Sequence, residues 1–146
     1  MNSNQMTQRS EASRCEAKRF FTPEQANSAL PLVRRIVSDI VAQYQQLEHL
    51  QKRRQKLTVT ERPDDVRALD TLAAQGAQRL NDLIEEISLI GCELKDWTIG
   101  LVDFPAILDG REVYLCWKLG EEQISHWHEV HAGAIGRQPV GDDFNG

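Results

Sequence analysis

Asp103, Cys116, His126 and His128 are side chains of the types that ligate zinc or iron, and they stand close together in the last third of the chain. His126 and His128 are two residues apart, so on a strand both imidazoles point to one face, and His131 extends the spacing to HxHxxH. The same residues admit a second chemistry, in which Cys116 is a nucleophile, His126 its base and Asp103 the group that orients the base. The plain alternative is that a mid-strand cysteine packs and strand-borne histidines are solvated or bonded to neighbours. Glu129 and His131 do not make an HExxH zinc motif, and Gly133, Gly136 and Arg137 lack the lysine of a phosphate loop. Arg137 either clamps an anion or bridges a loop.

These residues need a sheet to bring them together. Asp109-Gly110, between Phe104-Pro105-Ala106-Ile107-Leu108 and Arg111-Glu112-Val113-Tyr114-Leu115, is the chain's best two-residue hairpin signal. It pairs Leu108 with Arg111, Ala106 with Val113, Phe104 with Leu115 and Val102 with Trp117, which makes one face apolar. The other face carries Asp103 opposite Cys116, with Tyr114, Glu112 and Pro105. Pro105 lacks a ladder donor, so its strand should be at an edge or bulged. The next turn, at Gly120-Glu121-Glu122, leaves two registers open. A three-residue loop sets Cys116 opposite His126 and Tyr114 opposite His128, whereas a two-residue loop buries Ile124, His126 and His128. The first is favoured because it puts Trp127 in the core with Trp117 and keeps both imidazoles out of it.

Upstream, the sequence is helical. Thr22 can cap a helix with Pro23 at its first position and Gln25 closing a capping box, and Phe21 can staple onto Ala26. Leu30, Val33, Val37, Ile40, Tyr44 and Leu47 then recur by fours and threes, with Pro31 expected to kink the helix early. Thr58 to Asp64 is a connection. Val66, Leu69, Ala73, Gly76, Leu80, Leu83, Ile87 and Ile90 form a second stripe that ends at Gly91. The fold class expected is α+β: a long antiparallel, coiled-coil-like helical hairpin over about 23–90, then a small three-stranded antiparallel sheet over about 100–131 and an irregular C-terminal tail, 132–146. Residues 1–19 are expected to be a disordered tail ahead of a single α+β domain.

With 146 residues, the chain is long enough for one modest core. Its net charge of −5 makes nucleic acid an improbable partner. The one basic run, Lys52-Arg53-Arg54 with Lys56, reads as a solvated helix face. No apolar run spans a bilayer and the N-terminus lacks a secretory core, so a cytoplasmic protein without a membrane is expected. Cys15, Cys92 and Cys116 are odd in number and widely spaced, which points to free thiols.

The segments FTPEQANSALPLV, GCELKDWTIGLVDFPAILDGREVYLCWKLGEE and WHEVHAGAIGRQP, with the two helical stripes, resemble a prokaryotic family known as domain of unknown function 2203. The resemblance covers nearly everything after the N-terminal tail and implies no activity, substrate or cofactor. It includes Asp103, Cys116, His128 and Glu129 but not His126 or His131. It therefore shifts weight from a three-histidine site towards a pocket shared by the sheet, Glu93-Leu94-Lys95 and the Gly-Arg-Gln-Pro segment, with Tyr114, Glu129 and Arg137 as candidates. The leading expectation is a non-enzymatic interaction or assembly module, homodimeric through the hairpin or bound to another protein. The alternative is a small zinc or iron protein, hydrolytic or redox, that uses Asp103, Cys116, His126 and His128.

Overall fold

The computed structural model describes residues 18–58, 60–142 and 144; apart from Lys18 and Arg19, the expected N-terminal tail lies outside the described residues. Helix α1 spans Pro23–Gln55 and α2 spans Pro63–Ile90. The capping box forms as the sequence predicts: Gln25 N donates to Thr22 Oγ1 at 3.1 Å and Thr22 N donates to Gln25 Oε1 at 3.0 Å. At its other end, α2 stops at Gly91 in the left-handed region, φ 108°. The helices run antiparallel, because Gln43 and Leu47 lie against Gly76 while Arg54, further along α1, bonds Asp70, earlier in α2.

The sheet follows in the order β1 (Glu93–Asp96), β2 (Leu101–Leu108), β3 (Arg111–Lys118), β4 (His126–Glu129) and β5 (Gln138–Pro139), each antiparallel to its neighbour. Five strands replace the three expected. The added edge strands come from Glu93-Leu94-Lys95-Asp96, which has no apolar alternation, and from a two-residue pairing that contains a proline. The sheet thus runs from Glu93 to Pro139 rather than over 100–131, and part of the expected irregular tail is the strand β5. The β2–β3 register is the one expected, with Asp109 (φ 52°) and Gly110 (φ 78°) both left-handed in the turn. The β3–β4 register follows the three-residue-loop alternative, pairing Cys116 with His126 and Tyr114 with His128.

Pro105 is neither at a sheet edge nor lost from the ladder. In an extended strand the N–H and C=O of one residue point to the same side. The Pro105 carbonyl accepts from Phe21 N at 2.7 Å, so its missing donor also faces the incoming chain and no β2–β3 bond is lost. β1 pairs only with Leu101 to Asp103, so Phe21 takes over where β1 ends.

The apolar sheet face of Val102, Phe104, Ala106, Val113, Leu115 and Trp117 packs into one core with Ala26, Leu30, Val33, Ile36, Val37 and Ile40 of α1 and Leu83 and Ile87 of α2. Trp127 flanks this core, half-buried, rather than sitting inside it with Trp117. The seam of α1 from Leu30 to Ile40 is therefore covered by sheet as well as helix. Val37 and Ile40, expected to pair with a second copy, are fully buried within the chain. Beyond this core the hairpin continues, burying only Leu50, Val66, Leu69 and Gly76 between its own helices. No helix among the described residues is long and apolar enough to cross a membrane.

Candidate functional site

The face of the sheet turned away from the helices is where the sequence places its chemistry, and its middle is buried rather than open. Asp103 from β2 is 2% exposed, Cys116 from β3 0% and His128 from β4 2%. Strand alternation puts Glu93, Asp103, Cys116 and His126 in one row across β1 to β4, with Tyr114 and His128 one step along. Arg137 lies over Cys116, donating to its carbonyl at 3.4 Å, and Lys95 sits 5.1 Å above the Tyr114 ring.

Asp103, Cys116 and His128 converge so that one ligand atom from each lies within 4.8 Å of the others. His128 is held at both nitrogens. Nδ1 is 2.7 Å from the Glu129 carbonyl, which can only accept, so Nδ1 carries a proton and donates it. Nε2 is 3.0 Å from both oxygens of Asp103. Lone pairs on nitrogen and carboxylate would repel at that distance, so a proton, or a cation in its place, lies between them. Cys116 Sγ lies within 4.8 Å of a ligand oxygen of Asp103 as well. Burial raises the Asp103 pKa, and the neighbouring His128 and Cys116 offset part of that rise. Burial, with the Asp103 charge beside it, pushes the Cys116 thiol up to about 12.

The remaining sequence candidates are arranged differently. His126 is not part of this cluster: its ring is about one-third exposed, with Ser125 Oγ at 3.1 Å and Glu121 at 3.9 Å. Tyr114 packs its ring 5.6 Å from that of His128, and burial together with the nearby Glu93 carboxylate raises its pKa. Glu129 lies opposite Val113 on the other face, where its carboxylate pairs with Arg111 at 2.5 Å. Its contribution to the cluster is its backbone carbonyl. Arg137 bridges a loop, donating to both oxygens of Glu121 at 2.8 Å, and its Nε is buried without a partner among the described residues. Tyr114, Glu129 and Arg137 therefore do not line one pocket, since Glu129 faces away.

One residue of the expected pocket, Glu93, and two that escaped the sequence reading, Glu121 and Asn27, complete the surroundings. Glu93 flanks Asp103 and accepts from Lys95 Nζ at 3.1 Å. Burial pushes its carboxyl up, but the Tyr114 hydroxyl and the Lys95 ammonium beside it outweigh that and hold it below the usual range. Glu121 gathers Arg137, the Lys118 backbone N–H at 2.7 Å and nearby His126. Asn27 grips Ile124, two residues ahead of β4, accepting from its N–H at 2.7 Å and donating to its carbonyl at 3.2 Å. The Gly-Glu-Glu turn gave a weak signal for Glu121. Asn27, on an exposed-looking turn of α1, gave none.

Comparison with known proteins adds a family but no activity. The family model described as "Uncharacterized conserved protein (DUF2203)" matches residues 19–140. No curated protein and no solved structure matches the chain.

Proposed function

We propose that this chain, which belongs to the DUF2203 family of uncharacterized conserved proteins, binds one divalent metal ion through Asp103, Cys116 and His128. The observation that carries this is the convergence of three buried ligand atoms of three different types within 4.8 Å. Two features support it. The Nδ1–H of His128 is committed to a backbone carbonyl, the arrangement that leaves Nε2 to a metal and fixes the ring. A thiolate, a carboxylate and a neutral imidazole also neutralise a divalent ion, which lowers the cost of burying it. Thiolate with imidazole and carboxylate favours zinc, and iron is the alternative the same donors accept.

The role we assign is a staple across β2, β3 and β4. Each ligand is at most 2% exposed, so dissolved substrate has little access and turnover is not part of the proposal. The test is elemental analysis of protein purified without a tag or chelators, with His128→Ala alongside. Close to one zinc or iron per chain, lost in the variant, is the expected result. Absence of metal from folded wild type would reduce the cluster to a buried hydrogen-bonded pair beside a thiol.

A second role, as an interaction module, is favoured by the stretch of hairpin that runs past the sheet and lies outside the shared core of the described residues. Leu30, Val33, Val37 and Ile40 of the seam first expected to mediate it lie in the core, which leaves the far end of the hairpin as its surface.

A further inference from the structure

We infer that the tip of the helical hairpin receives an acidic amphipathic helix from a partner protein. The inference rests on the interaction-module reading and deepens it by naming the partner's chemistry; it is independent of the metal proposal.

A groove of about 400 Å³ opens between the end of α1 and the start of α2. Leu57, Leu69 and Leu72 line it, and Leu72 is 48% exposed. Arg53 and Lys56 stand on its rim, exposed and without a carboxylate partner among the described residues. By contrast, neighbouring Arg54 and Arg62 are paired, with Asp70 at 3.1 Å and Asp65 at 2.6 Å. Leu69 and Leu72 are three residues apart on α2, as Arg53 and the C-cap Lys56 are at the end of α1. Each pair therefore lies on one helix face, and together they form an apolar floor beside a cationic wall.

Charge distribution across the chain points the same way. Between Lys52 and Leu72 six Lys and Arg oppose four Asp and Glu, a local net of +2. With −5 overall, the remainder carries −7. The tip is thus a positive end on a negative protein, which attracts and orients an acidic partner at long range. A helix with leucines on one stripe and glutamates beside it would cover the floor and meet the wall, the helix-in-groove mode of recognition. Nucleic acid fits less well, because Asp65 also lines the groove and an exposed leucine offers nothing to a phosphate.

The test uses the full chain and a fluorescein-labelled synthetic helix of about 18 residues with leucine and glutamate rows at helical spacing. A peptide of the same composition in scrambled order and a single-stranded RNA oligonucleotide serve as comparisons. Binding is read by anisotropy and mapped by amide NMR on the wild-type protein. Expected are shifts confined to the segments 53–57 and 65–72, with weaker binding of the scrambled peptide. Affinity should fall about tenfold or more in Arg53→Glu/Lys56→Glu and on raising salt from about 0.05 to about 0.5 M. Leu72→Gln, an exposed change that should leave the fold intact, is expected to weaken binding too and serves if the double variant fails to fold. Equal binding of the scrambled peptide, or shifts away from the tip, would overturn the inference. Tighter binding of RNA, or self-association abolished by Leu72→Gln, would overturn it while keeping the tip as an interaction surface. If none of the three probes touches the tip, the interaction reading fails with it.

Discussion

His128 shows how much one side chain can be asked to do. Its ring is fixed by a carbonyl on one side and a carboxylate on the other, inside a face that solvent barely reaches. Asp103→Ala removes one partner of this buried pair, and breaking such pairs costs about 3–5 kcal/mol. Urea unfolding of the metal-free variant should show a loss of that size. The two described cysteines invite a separate check. Burial raises Cys92 to about 12 from an ordinary value of 9.0, with Arg19 offsetting part of the rise. A thiol with a raised folded pKa contributes stability in full below its unfolded pKa and loses it as pH rises towards the folded value. Stability should therefore decline from about pH 9 upward, and Cys92 should resist alkylation at pH 8 until the protein is unfolded, read by peptide mass spectrometry. Asp103, Cys116 and His128 could be picked out in the sequence because their types are distinctive. Their burial could not, because it is set by which other parts of the chain lie against that face, where Arg137 reaches Cys116 and Lys95 reaches Tyr114.

Local signals decided the elements wherever the chain made its own rules. The capping box, Gly91 and the Asp109-Gly110 turn each specify backbone geometry within a few residues, and each appears as expected. Edge strands β1 and β5 were not legible, since pairing at an edge is imposed by a neighbour rather than by alternation in the strand itself. The β1–β2 connection also hides a close contact. Gly100 has φ 73°, and a Cβ there would stand 2.8 Å from Leu119 Cβ and from Val37 Cγ1. Neither atom is the end of a flexible chain, so Gly100→Ala should cost about 1–3 kcal/mol from overpacking, with backbone strain added. The clamp of Asn27 on Ile124 is testable in the same way: Asn27→Ala leaves the Ile124 backbone groups, in the connection ahead of β4, unpaired and should cost about 1–3 kcal/mol by thermal or urea unfolding.

At the scale of the whole molecule, stability is distributed unevenly. The sheet and the adjoining parts of both helices share one core, while the outer hairpin holds itself together with few buried side chains. Hydrogen exchange should accordingly be faster at Leu50 to Leu72 than at Ala26 to Ile40 or Leu83 to Ile87, and uniform protection along the hairpin would contradict this. An outer hairpin kept at that cost in stability is the reason to look for a partner there, just as the buried cluster is the reason to look for a metal under the tail. The metal is the central claim, and X-ray absorption at the metal edge of purified protein tests it most directly. One sulfur at about 2.3 Å with nitrogen and oxygen at about 2.0–2.2 Å, the sulfur gone in Cys116→Ser, is the predicted result. Protein that carries no metal, or a metal with no sulfur neighbour, would contradict it.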